Sequence, residues 1–94
     1  MEPAKERVYV RVASEFDATG YMLPKAIIWK DGRTFPIEGV RQFRPAGAEE
    51  GAYPDTDCYI VLIHGQEKQL FFSKNKGIFR ISVGRWFVER SAAT

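Results

Sequence analysis

The stretch Lys25-Ala26-Ile27-Ile28-Trp29-Lys30-Asp31-Gly32-Arg33-Thr34-Phe35-Pro36-Ile37-Glu38 decides the fold class. Asp31-Gly32 lies between two runs of strand formers. This dipeptide suits the positive φ values of a two-residue type I′ turn, whose twist matches the strands it joins. Residues 25–30 and 33–38 are therefore expected to form a β-hairpin. Phe35 and Ile37 share a parity and should face a core. Pro36 faces the other way and marks an edge or a bulge, because it cannot donate to a ladder. Gly39 permits a bend, beyond which residues 40–44 are expected to continue the same strand.

The pattern extends in both directions. Upstream, Val8, Val10 and Val12 alternate with Tyr9 and Arg11, the period of a half-buried strand. Asp17-Ala18-Thr19-Gly20 supplies turn chemistry, and Pro24 is expected at a strand entrance or on an edge. Downstream, residues 45–57 are rich in Gly, Pro, Ala and carboxylates and read as a long loop. Residues 58–64, 68–73 and 85–90 read as further strands, His64-Gly65-Gln66-Glu67 as a turn, and 78–83 as a short strand or an insert. The 3.6-residue apolar spacing of a helix is sustained nowhere. The expectation is an all-β fold: a small antiparallel barrel of about six strands, SH3-like or OB-like in scale. One domain spans residues 1–94, ordered over 7–90 and frayed over 1–6 and 91–94.

Composition narrows the function classes. The 94 residues are 45% hydrophobic and 14% aromatic, enough apolar bulk to fold as one small soluble domain. The net charge of +2 does not describe a basic nucleic-acid arm or an acidic tail. The single cysteine, Cys58, excludes an internal disulfide and suits a reducing cytoplasm. The charged start lacks the apolar centre of a signal peptide. The apolar run 58–63 is far shorter than the roughly 18 residues of a membrane span. These features point to a cytoplasmic location.

Several short motifs form a longer pattern: Phe16-Asp17-Ala18-Thr19-Gly20, Pro24, Ile27-Ile28-Trp29-Lys30-Asp31-Gly32-Arg33, Phe35, Ile37 and the closing Trp86-Phe87-Val88-Glu89. Their order from Val8 to Glu89 resembles a group of short uncharacterised β-barrel proteins of Firmicutes, especially clostridia. Residues 74–83 are longer here than that pattern. The resemblance implies a small β fold, and it brings no catalytic residues with it.

The chemistry expected of the chain is binding rather than catalysis. Cys58 and His64 lie at opposite ends of one expected strand, roughly 20 Å apart at about 3.3 Å per residue, whereas a nucleophile and its base need hydrogen-bond reach. Asp17 and Asp31 occupy turn positions where aspartate already has a structural role. One cysteine and one histidine do not make a zinc site. Glu49, Glu50, Asp55 and Asp57 lack the spacing of a calcium loop and read as a solvated acidic segment. No phosphate-cradling glycine motif is present. The expectation is no enzyme activity, no cofactor and no metal.

Two binding readings remain. Residues 58–63 are apolar on both parities, which places the strand centrally or turns one face toward a partner. With Cys58, Ile60 and Leu62 facing inward, Tyr59, Val61 and Ile63 would form a protein-interaction surface, including that of a homodimer. The alternative is single-stranded nucleic acid bound by a basic, aromatic barrel face. Its candidate residues are Trp29, Lys30, Arg33, Arg41 and Arg44. Lys25, Lys74, Lys76, Arg80 and Arg85 are further cations, and Tyr9, Tyr53 and Trp86 further platforms. Trp29 shares its parity with Ile27, and Trp86 with Val88, so both also suit a core.

Overall fold

Three turns set the register of the chain. At Asp31-Gly32 the loop is one residue longer than the sequence predicts. Trp29 N–H donates to the Arg33 carbonyl at 2.8 Å and Gly32 N–H to the Trp29 carbonyl at 2.9 Å. Only Gly32 has positive φ, at 90°. This is a three-residue loop, a type I turn ended by a left-handed glycine, rather than type I′. The Asp31 carboxylate stabilises it by accepting from the Arg33 backbone N–H at 3.0 Å. The same arrangement recurs at Asp17, whose Oδ1 accepts from the backbone N–H groups of Thr19 and Tyr21, both at 2.9 Å. The type I′ conformation falls instead on His64-Gly65, with φ of 51° and 74°.

The computed structural model describes residues 5–47, 55–74 and 84–91. Among these residues seven strands run in chain order: β1 (Lys5–Phe16), β2 (Met22–Ile28), β3 (Thr34–Pro36), β4 (Gly39–Arg44), β5 (Thr56–Ile63), β6 (Gln66–Lys74) and β7 (Gly84–Ser91). Among the described residues there is no helix, and so none long and apolar enough to cross a membrane. The short strand or insert expected over 78–83, and the part of the long loop over 48–54, lie outside the described residues.

All pairings are antiparallel, and the sheet order is β3-β2-β1-β7-β6-β5-β4. The two edge strands, β3 and β4, are consecutive in the chain. Ile37 N–H donates to the Lys25 carbonyl at 2.9 Å on the β2 side, and Glu38 N–H to the Leu62 carbonyl at 2.8 Å on the β5 side. The single strand expected across Gly39 is instead two, β3 and β4, and the chain changes partner between them at Ile37-Glu38. This exchange curls the sheet into an all-β, barrel-like form in which every pair of neighbours is sequential except β1 with β7. Such an up-and-down order differs from the Greek key of an OB-fold.

The first and last strands, central in the sheet, include residues 5, 6 and 91. Lys5 pairs with Ser91 and Glu6 with Arg90, whose Nε donates to the Glu6 carboxylate. Pro24 lies within β2 and is fully buried, opposite Ser14 at a bulge in β1. It is tolerated because β3 pairs only with Ala26 through Ile28, which leaves β2 a ladder on one side at Pro24.

The inward face carries Ile27, Tyr59, Val61, Ile63, Leu70, Phe72 and Trp86, which form one buried cluster. This corrects the expectation for β5. Tyr59, Val61 and Ile63 line the core, with Val61 0% exposed, and Cys58, Ile60 and Leu62 form the opposite, half-buried face. With both parities apolar, alternation alone did not say which side was inward. The outer face has an apolar layer of its own. Tyr9, Phe87, Phe71 and Cys58 are successive cross-strand neighbours. The Phe71 and Phe87 rings stack at 5.0 Å, with Tyr9 edge-on to Phe87 at 5.7 Å.

Candidate functional site

β1 changes partner half-way along its length. Through Val10 it pairs with β7, and from Arg11 it pairs with β2. β2 turns away after Ile28, while Arg85 and Gly84 of β7 pair with Ser73 and Lys74 of β6. The diverging strands leave a cleft of about 620 Å³ between Tyr9–Val12, Ile28–Lys30 with Gly32, and Gly84–Trp86. Its size falls within the range of about 300–1,000 Å³ usual for ligand sites.

Three cations converge on this cleft, Arg11, Lys30 and Arg85, together with the aromatic rings of Tyr9, Trp29 and Trp86. Among the described residues no carboxylate lines it. Asp31, the acid nearest in sequence, points its Oδ2 at the Arg33 Nε, 2.6 Å away. Its carboxyl is held below the usual carboxylate range, first by the Arg33 backbone N–H and then by the Arg33 side chain. The Arg85 guanidinium lies 3.7 Å over the Tyr9 ring. Among the described residues, Arg11 and Lys30 have no ion-pair partner. A concave surface with several cations and no anion concentrates field lines and attracts anionic ligands.

The nucleic-acid face expected from sequence is divided by the fold. Trp29 and Lys30 line the cleft. Arg33 adjoins it, but is engaged by Asp31 and lies 5.6 Å over Phe35. Arg41 and Arg44 lie on β4, with Arg41 4.0 Å from Glu67 and Arg44 opposite Cys58. Trp86 is 9% exposed and serves as a core residue as well as a cleft wall. Lys74 is drawn to the buried Asp57 at 3.7 Å. Tyr53, Lys76 and Arg80 lie outside the described residues.

Arg11 escaped the sequence reading, because alternation assigned it only to the polar side of its strand. The pairing of β1 with β7 would have found it, since that pairing brings Tyr9 and Arg11 to the same side as Arg85. No family model, curated protein or solved structure matches the chain. The geometry of the site therefore carries the functional argument.

The remaining candidates serve the fold. Asp57 accepts from the Ala46 backbone N–H at 2.8 Å, which ties the end of β4 to the start of β5. Asp17 and Asp31 sit in turns at opposite ends of β2, about 20 Å apart at the usual strand rise. Cys58 and His64 are separated by most of β5. No group of three or more His, Cys, Asp or Glu side chains gathers at metal distance among the described residues. Tyr59 is buried, and its hydroxyl donates to the Met22 carbonyl at 3.3 Å. Burial, with the nearby Asp57 charge second, pushes its phenol above the ordinary value.

Proposed function

We propose that this protein is a non-enzymatic binding module for single-stranded nucleic acid, held in the cleft between β1, the β2–β3 turn and β7. The observation that carries this reading is the gathering of Arg11, Lys30 and Arg85 around Tyr9 and Trp29, with no acid among the described lining residues. Cations track the phosphates and planar side chains stack bases, the two elements of single-strand binding. The small net charge of +2 is compatible with this, because the local arrangement of charge governs encounter. The half-buried Cys58, the one cysteine of the chain, suits a reducing cytoplasm. The protein-interaction reading is less favoured, since it rested on Tyr59, Val61 and Ile63, which are buried.

Fluorescence anisotropy of labelled RNA and DNA oligonucleotides tests the reading. Saturable binding should weaken with added salt, with a log–log slope of roughly −2 for three phosphate contacts. No binding at low salt would overturn it.

A further inference from the structure

A second cavity lies on the far side of Trp29. β6 and β7 pair only from Phe71↔Phe87 to Lys74↔Gly84. Beyond Phe71, β6 continues alongside β5 to Gln66, and beyond Phe87, β7 continues alongside β1 to Ser91. The two strands part there and open a seam into the interior. The space inside measures about 380 Å³. Ile27, Trp29, Phe35, Ile63 and Val88 form its apolar walls. Apolar cavities at the mouths of β-barrels are common small-molecule sites, and this volume falls inside their usual range of about 300–1,000 Å³.

The rim supplies the polarity. Lys68 stands opposite Val61, on the inward side of β6, and lines the opening. Among the described residues it has no ion-pair partner. Glu89, also on the rim, stands opposite Arg7 on β1. The His64 ring stands edge-on to Phe35 at 6.3 Å and closes one side of the opening. An unengaged ammonium at the mouth of an apolar cavity complements a ligand with an anionic head and an apolar body.

We propose that the β6–β7 seam binds a small carboxylate amphiphile, its apolar chain against Trp29, Phe35 and Val88 and its carboxylate at Lys68. This site is distinct from the basic cleft and does not depend on the nucleic-acid reading. Trp29 lines both, so its indole fluorescence reports a chain entering the seam.

The test is titration of the full chain with decanoate, and with decan-1-ol as the uncharged counterpart, followed by tryptophan emission and calorimetry. Decanoate should saturate below about 1 mM. Lys68→Glu should weaken decanoate about tenfold, the scale of one charged hydrogen bond, and leave decan-1-ol within about twofold. Val88→Phe, which fills the cavity, should weaken both ligands. Lys68 is exposed, so its variant keeps the proposal testable if Val88→Phe fails to fold. Absence of saturable decanoate binding would overturn the proposal. So would an affinity that falls with Arg11→Ala but not with Lys68→Glu, because the carboxylate would then occupy the basic cleft.

Discussion

The guanidinium of Arg85, near the start of β7, lies 3.7 Å over the ring of Tyr9 on β1. The contact joins the last strand to the first at the lip of the basic cleft. An aromatic ring thus backs the planar guanidinium at the cleft. Such a plane stacks on a base and pairs with a phosphate, whereas an ammonium supplies charge alone. Arg85→Lys should therefore weaken oligonucleotide binding by less than Arg85→Ala, with the alanine variant losing about tenfold or more. Equal affinities for wild type and Arg85→Ala in an anisotropy titration would remove Arg85 from the site.

Gly84 is required for packing. A Cβ built there would lie 2.6 Å from the Ser73 carbonyl oxygen and would run into the Phe72 ring. Backbone cannot yield as a flexible side chain does. Gly84→Ala should destabilise the fold by about 1–3 kcal/mol, the usual cost of overpacking, measured by urea denaturation. A variant as stable as the wild type would show that β6 and β7 approach less closely than described.

The two faces of β5 predict opposite responses to charge. Val61 is fully buried, so Val61→Asp places an unpaired carboxylate in the core and should unfold the domain. Leu62 points outward and is half-buried, so Leu62→Asp should leave a folded chain. Circular dichroism distinguishes the two. A folded Val61→Asp variant would contradict the inward assignment of Tyr59, Val61 and Ile63.

Two turn carboxylates make stability sensitive to acid. The Asp17 carboxyl is lowered first by the Thr19 hydroxyl and then by the Tyr21 N–H, and the Asp31 carboxyl first by the Arg33 N–H. A group with a depressed folded pKa stabilises the native state above its unfolded value and loses that contribution as pH falls through the folded value. Melting temperature should therefore drop below about pH 4, and less so in an Asp17→Asn, Asp31→Asn double variant. Parallel curves for the two proteins would contradict this. At the alkaline end, the raised Tyr59 phenol predicts the reverse sign: its contribution is present at neutral pH and is lost as pH rises above about 10.

Local signals carried the fold class, and long-range pairing carried the site. Turn residues at Asp17-Gly20, Asp31-Gly32 and His64-Gly65 were legible because each turn needs particular residues within a few positions. The bend before residues 40–44 was legible for the same reason, although the chain there changes partner and forms two strands rather than one. The turn type at Asp31-Gly32 was not, because that dipeptide also fits the three-residue loop that forms there. The orientation of β5 was hidden by a second apolar layer, in which Phe71 and Phe87 bury the outer face as Phe72 and Trp86 bury the inner one. Trp29 and Lys30 were candidates because they flank a recognisable hairpin. Arg11 joins them only through the pairing of β1 with both β2 and β7. Nothing within a few residues of Arg11 announces that arrangement.

The most direct test of the account is the salt dependence of single-stranded RNA binding, compared between wild type and an Arg11→Ala, Lys30→Ala double variant. Both side chains are exposed and free of ion-pair partners among the described residues, so the fold should survive their loss. The account predicts that the variant binds more weakly and that its log–log salt slope is shallower by roughly 1.4, or 0.7 for each phosphate contact removed. Equal affinity and equal slope in the two proteins would contradict the cleft as the binding site.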